Sequence, residues 1–253
     1  MTTELQKASL LKRTAAGIFD FILVCVLAVG IAWFLSWVLG ADAHQEKWDK
    51  GRAAYEQQYG VTYDITQEEY DALSEQKRQN YDAAHKALVS DKEVMQSYNM
   101  VVQLAILTVT FGILIAQVLL ELVVPLILKN GQTIGKKIFS IALVRVDGVK
   151  LSTLQLFVRT VLAKFTLETM IPVYFLVMLF FNAAGIFATV IIGGLTLAQL
   201  ICLCVTKTNS LIHDLLSGTV AVDMATQMIF RSTDDLIRYQ QRVHAEQVAR
   251  STY

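Results

Sequence analysis

Residues Ala15 to Leu39 form an apolar run of 25 residues in which Asp20 is the only formal charge. A helix of that length crosses the ~30 Å hydrocarbon core of a bilayer. In lipid the backbone N–H and C=O groups of a single span have to be satisfied within the helix itself. The run therefore dictates a membrane protein, and it makes Asp20 the residue with most to explain. A carboxylate at a helix centre costs at least roughly 2.5–3.5 kcal/mol, so it faces a bundle interior, a polar cavity or a counter-ion. Arg13 precedes it by seven residues, close to two helical turns, so both project from one face about 10 Å apart along the axis. That is too far for a direct ion pair without the reach of the arginine, and each is expected to meet groups on other helices.

The remaining sequence agrees with a membrane protein: 54% of the 253 residues are hydrophobic and only 17% are charged. Charge is unevenly placed. Lys7, Lys12 and Arg13 against Glu4 give residues 1–16 a balance of +2, and seven Lys/Arg against Asp147 give residues 129–164 a balance of +6. Residues 41–99 carry twelve acids against seven bases, −5. Lys/Arg excess marks the cytoplasmic side, so the N-terminus and 129–164 are expected inside and the acidic segment outside. Cys25, Cys202 and Cys204 lie in apolar runs and imply neither a disulfide framework nor a metal site. Lys12-Arg13, an apolar run and Ala41-Asp42-Ala43 imitate a signal peptide. The run exceeds the usual ~7–15 residues and contains Asp20, so it is expected to remain as a span.

Trp33, Phe34 and Trp37 near the outer end of this span fit an interfacial belt. In 41–90, Trp48, Tyr55 and Tyr59, then Tyr70, Leu73, Lys77, Tyr81, Ala84 and Leu88, recur at helical spacings, which suits tyrosines packing a helical hairpin. Thr66-Gln67-Glu68-Glu69 and Ser90-Asp91-Lys92-Glu93 read as capping boxes. From Asp91 the helix is expected to run into the second span and end near Leu128. Its 38 residues would reach about 57 Å, with the outer part paired to the preceding helix. Gly112 and Ala116 form a small-xxx-small pair within it.

Ile138–Leu151 alternates β-branched residues around Asp147-Gly148, a hairpin signal. Gly131 to Lys137 is not a phosphate loop, because three residues rather than four separate its glycines and Lys137 stands where Ser or Thr is needed. Ser152-Thr153-Leu154-Gln155 opens a helix with an apolar stripe from Leu154 to Phe165. Arg159 and Lys164 lie off that stripe, so an interfacial amphipathic helix facing anionic lipid is expected. Pro172 to Val205 is almost wholly apolar and holds two short spans joined near Asn182, a start near Phe165 easing the fit. Gln199 is expected to hydrogen-bond across helices. Four spans then place both ends inside. The tail from Thr233 reads as a polar helix, and no inverted repeat of the carrier type is evident.

Three segments in order, Arg13 to Asp20, Gly131-Gln132-Thr133-Ile134-Gly135-Lys136-Lys137 and His213-Asp214-Leu215-Leu216-Ser217-Gly218-Thr219, resemble the RDD family of membrane proteins. Arg13, Asp20 and Asp214 match the arginine and two aspartates of its name. Arg159 matches a basic residue after the connector. The resemblance covers roughly 10–40 and 100–223, and it leaves 41–98 and the tail beyond 224 without a counterpart. It implies a multi-span bacterial plasma-membrane protein, with transport suspected and cation/proton antiport proposed for some members.

The expected architecture is an all-α integral membrane protein of four transmembrane helices, with an extracellular helical hairpin, a short cytoplasmic β-hairpin and an interfacial amphipathic helix. Residues 1–14 are the cytoplasmic N-terminus, 15–223 the membrane domain with its insertion at 41–98, and 224–253 a cytoplasmic C-terminal helix. The candidate site is Arg13, Asp20, Glu121, Arg159 and Asp214. Glu121 lies eight residues before Lys129, ~12 Å deep and level with Asp20. Two readings stay open. Asp20 and Glu121, with Asp214, form a site where a proton and a monovalent cation compete. In the other, Arg13–Asp214 and Asp20–Arg159 are fixed ion pairs that staple the spans together. His213 is either a proton relay or a helix-end residue bonded to a neighbour. The matching function classes are a small cation/proton exchanger, and a scaffold that binds partners through its extracellular hairpin. Membrane lipid, a second copy or another protein are the expected partners. No cofactor, nucleic acid or enzymatic motif is indicated.

Overall fold

The computed structural model describes residues 5–180 and 185–251. In chain order the elements are α1 (Leu10–Val38), α2 (Ala41–Tyr59), α3 (Gln67–Asp71), α4 (Glu75–Ser90), α5 (Lys92–Leu128), α6 (Ile134–Ile138), β1 (Ile141–Arg145), α7 (Thr153–Leu179), α8 (Gly185–Val205), α9 (Ile212–Ser217), β2 (Thr219–Asp223) and α10 (Thr233–Ser251). α1, α5, α7 and α8 are long and apolar enough to cross a membrane. The protein is an all-α membrane protein with one small sheet. Asn182, expected at the turn between the last two spans, lies outside the described residues.

The chain divides into two compact units, one of residues up to Ala28 together with Ile113 onward, the other Val29–Gly112. The second unit is a small helical assembly. Thr66 caps α3 through the expected box, its hydroxyl accepting from Glu69 N while Glu69 accepts from Thr66 N at 2.7 Å. The cap of α5 is Asp91 rather than Ser90. Its Oδ1 accepts from the backbone N–H groups of Glu93 and Val94, and its Oδ2 from the Tyr55 hydroxyl at 3.0 Å. Trp48 lies against Tyr98 with ring centroids 4.8 Å apart, and Tyr81 takes Tyr63 and Tyr70 edge-on. The aromatic contacts thus join α2 to the start of α5 and α3 to α4. Gly51 allows this, since a Cβ there would come within 2.5 Å of Val94.

In the first unit, β1 pairs antiparallel with β2, Ile141 opposite Asp223 and Arg145 opposite Thr219. This corrects the expected β-hairpin. The Asp147-Gly148 turn does form, with Gly148 at φ +81° and its N–H donating to Arg145 O. Its second arm makes only a bridge from Lys150 to Val144 and then pairs with Phe230. The reason is burial. Ile141 to Val144 are covered on both faces and so read as a continuous apolar run, which the buried Val220, Ala221 and Val222 match. The N-terminal segment joins the far side of β2, with Asp223 N donating to Gln6 O and Ala8 N to Ala221 O.

The interfacial amphipathic helix is also corrected: it is the first part of the third span. Ser152 and Gln155 form the expected capping box, but α7 then continues without a break to Leu179. From Val158 to Met170 it is π-helical, as is α5 from Val118 to Val123. In this wider helix the backbone bonds run between residues five apart. The hydroxyls of Thr166 and Thr169 follow the same spacing, donating to Val161 O and Lys164 O.

Candidate functional site

On α1 the buried residues are Ala16, Asp20, Val24 and Ala28, one stripe at four-residue spacing. The stripe puts the Asp20 carboxylate against the connector between the second and third spans. Oδ1 accepts from Gly135 N at 2.8 Å, Oδ2 accepts from the Thr133 hydroxyl, and Lys136 Nζ stands 3.8 Å from Oδ2. Thr133 is the N-cap of α6 and also accepts from Lys136 N, so one short turn supplies the whole cradle. Gly135 is required by contact. A Cβ there would lie 2.5 Å from Ala16 O and 2.9 Å from Asp20 Oδ1.

Asp214, on the short α9 after the fourth span, gathers the two arginines. Arg159 Nε and Nη2 both reach its Oδ1 at 3.1 Å, and Arg13 Nη2 reaches Oδ2 at 3.5 Å while Nη1 donates to Thr208 O. The Thr219 hydroxyl adds a bond to Oδ1 at 3.1 Å. Burial on its own would raise the Asp214 carboxyl. Arg159, then His213 and Arg13, overcome it and hold the group well below the usual carboxylate range.

Glu121, 2% exposed within the π-helical part of α5, bonds Lys164 through Oε1; its Oε2 has no hydrogen-bond partner among the described residues. Glu168 accepts from His213 N at 2.8 Å and pairs with His213 Nδ1 at 2.7 Å, which makes His213 a helix-end residue bonded across to α7. Gln199 also turns to this segment, accepting from Ile212 N. Lys136 is pushed down to about 8, chiefly by burial and then by the nearby Arg159, with Asp20 opposing the shift.

Asp20, Arg13, Arg159 and Asp214 line a cavity of about 450 Å³, and Lys136, Lys164, Glu168 and His213 lie on the same wall. The structure brings Arg13, Arg159 and Asp214 into one cluster. The Asp20–Arg159 pair is corrected: Arg159 is spent on Asp214, and the cation beside Asp20 is Lys136. Asp20 and Glu121 do not share a direct contact; each has its own lysine.

Sequence reasoning missed Lys136, Lys164, Thr133 and Glu168. Thr133 and Lys136 stood in the connector block as part of the resemblance, with no pattern to show that they fold back on α1. Lys164 was placed off the apolar stripe by α-helical geometry. In a π-helix, residues five apart fall close to one face, so Arg159 and Lys164 point inward together. Glu168 had a visible signal, an acid at the edge of an almost uncharged stretch.

No group of histidine, cysteine or acidic residues among the described residues has the arrangement of a metal centre. A family model described as RDD family matches residues 7–218. No curated protein and no solved structure matches the chain.

Proposed function

The chain belongs to the RDD family, and from that premise we propose that it exchanges a monovalent cation for a proton across a bacterial plasma membrane, with both termini cytoplasmic. The observation that carries this reading is the contrast between two buried acids. Asp214 is clamped by guanidinium groups at 3.1 Å and 3.5 Å, whereas the cation beside Asp20 is a lysine held off at 3.8 Å, next to a cavity. A cation entering that cavity would take the Asp20 carboxylate in place of the Lys136 ammonium. Lys136 would release one proton as the cation binds, so the charge of the site is conserved. Its depressed proton affinity, near 8, makes that release accessible close to neutral pH. Glu121 and Lys164 would form a second pair beside it, and Arg13, Arg159 and Asp214 the rigid frame.

The test is reconstituted protein in liposomes with a pH-sensitive dye. The reading requires a proton flux that depends on Na⁺, K⁺ or Li⁺ and disappears in Asp20→Asn at normal protein abundance. Silence of the wild-type protein across these ions and across pH supports the second reading, a non-transporting scaffold or accessory subunit. One observation favours that alternative: both oxygens of Asp20, Glu168 and Asp214 already accept hydrogen bonds. The helical unit Val29–Gly112 would then be the surface for a protein partner or a second copy. Neither reading calls for enzymatic chemistry, a cofactor or nucleic acid.

A further inference from the structure

The cavity beside Asp20 has unspent hydrogen-bonding capacity, and it lies almost wholly on the donor side. The three acids that line it use both of their oxygens, as just described. The bases do not. Arg159 commits Nε and Nη2 to Asp214 and leaves Nη1 with no partner among the described residues. Arg13 leaves Nε unused, and Lys136 Nζ has only the Thr133 hydroxyl at 3.3 Å and the distant Asp20. Lys164 is taken by Glu121, and His213 Nε2 stands 3.7 Å from Asp214. Four Lys/Arg side chains against three carboxylates line this wall, and their free N–H groups call for a further acceptor, which an anion supplies.

The rim says which kind. Leu10, Ile18 and Phe21 line the cavity and are 54%, 57% and 67% exposed on α1, a spanning helix. Apolar side chains that are exposed on a span meet acyl chains, so the mouth of a basic cavity is edged by lipid-facing residues. Soluble anions have no use for such a rim, whereas a lipid fills both parts, headgroup inside and chains along α1. A volume of about 450 Å³ is within the size of sites that hold small ligands.

We propose that this cavity binds the phosphate of an anionic membrane lipid, with Lys136, Arg159 and Arg13 donating to its oxygens and Ile18 and Phe21 flanking its chains. The site goes beyond the exchange reading and does not rest on it; phosphate and cation would use the same cavity and Lys136 in turn, not together. The shared chemistry, a phosphate oxygen, could also come from inorganic phosphate, and the test separates the two. Purified full-length protein in detergent is exposed to phosphatidylglycerol or phosphatidylcholine of identical chains, and lipid retention is read by native mass spectrometry. Retention of phosphatidylglycerol should exceed that of phosphatidylcholine by on the order of tenfold. Lys136→Gln should reduce that preference. Ile18→Trp, at a position 57% exposed on α1, should fill the mouth and lower retention of phosphatidylglycerol in a protein that remains folded. Equal retention of the two lipids overturns the proposal, as does a preference that neither variant changes. Displacement of phosphatidylglycerol by millimolar inorganic phosphate, with Ile18→Trp having no effect, assigns the site to a soluble anion and overturns the lipid. Liposomes that show no ion exchange leave these outcomes untouched.

Discussion

Arg159–Asp214 and Lys50–Glu46 are both base–carboxylate pairs, and the second is shorter, 2.6 Å against 3.1 Å. Their surroundings differ completely. The side chains of the first pair are 4% and 3% exposed, and those of the second are 75% and 66% exposed. Distance is therefore a poor guide to what a pair does. In the unit of residues up to Ala28 and from Ile113 onward, charges out of water have to be matched, and the matching ties α1, the connector, α7 and α9 together. In Val29–Gly112 the helices are held by tilted and edge-on aromatic contacts and a capped helix start, while surface pairs such as Lys50–Glu46 meet solvent. Water screens them, and they contribute little.

The largest expected effect comes from breaking the buried side of this contrast. Arg159→Met leaves Asp214 with a single distant guanidinium and should cost about 3–5 kcal/mol, read as a lower unfolding midpoint in detergent. The double variant Arg159→Met with Asp214→Leu should recover much of that loss, since no unpaired charge remains. If it loses as much as the single variant, the pair is not the source of the cost.

Lys136 offers a signed pH test. Its folded value is about 8 against an ordinary 10.5, so between these pH values the folded protein has released the proton and the unfolded chain still holds it. Stability of the wild type should then rise from pH 8 to 10.5 relative to Lys136→Met, by up to about 3 kcal/mol. Parallel curves for the two proteins would remove Lys136 from the buried set.

Gly135→Ala probes contact rather than charge. The new Cβ must push Ala16 O or Asp20 aside, with an expected loss of about 1–3 kcal/mol and faster tryptic cleavage at Lys136 and Lys137. Glu46→Gln closes the series at the exposed end and should leave the midpoint where it was. A clear drop would mean that the surface pair is less screened than its exposure implies.

Local signals in the sequence carried far. The first span around Asp20, the capping boxes at Thr66 and Ser152, and the turn at Asp147-Gly148 each depend on residues near one another in sequence, and each is present. Ser90 was one residue early, because Asp91 could serve as either a cap or a flanking acid. The misreadings concern partners. β1 looked like half of a hairpin since Lys150 is near in sequence, yet Thr219–Asp223 offered a better-matched apolar edge. Arg159 looked like a surface cation of an interfacial helix since an α-helical wheel put it off the stripe, yet the π-helical turn carried it inward to Asp214.

By itself the sequence determined the solvent: a 25-residue apolar run that contains one aspartate requires a bilayer, and the aspartate requires company. That requirement is local, because hydrocarbon penalises each charge where it stands. Which base answers which acid was decided only by the tertiary structure. Four lysines and arginines lie in reach of four carboxylates, and pairing among them turns on sub-ångström to few-ångström differences set by helix pitch and by the approach of Gly135 to α1. Coulomb attraction and hydrogen bonds vary steeply over such distances in a low dielectric, and no spacing along the chain encodes them.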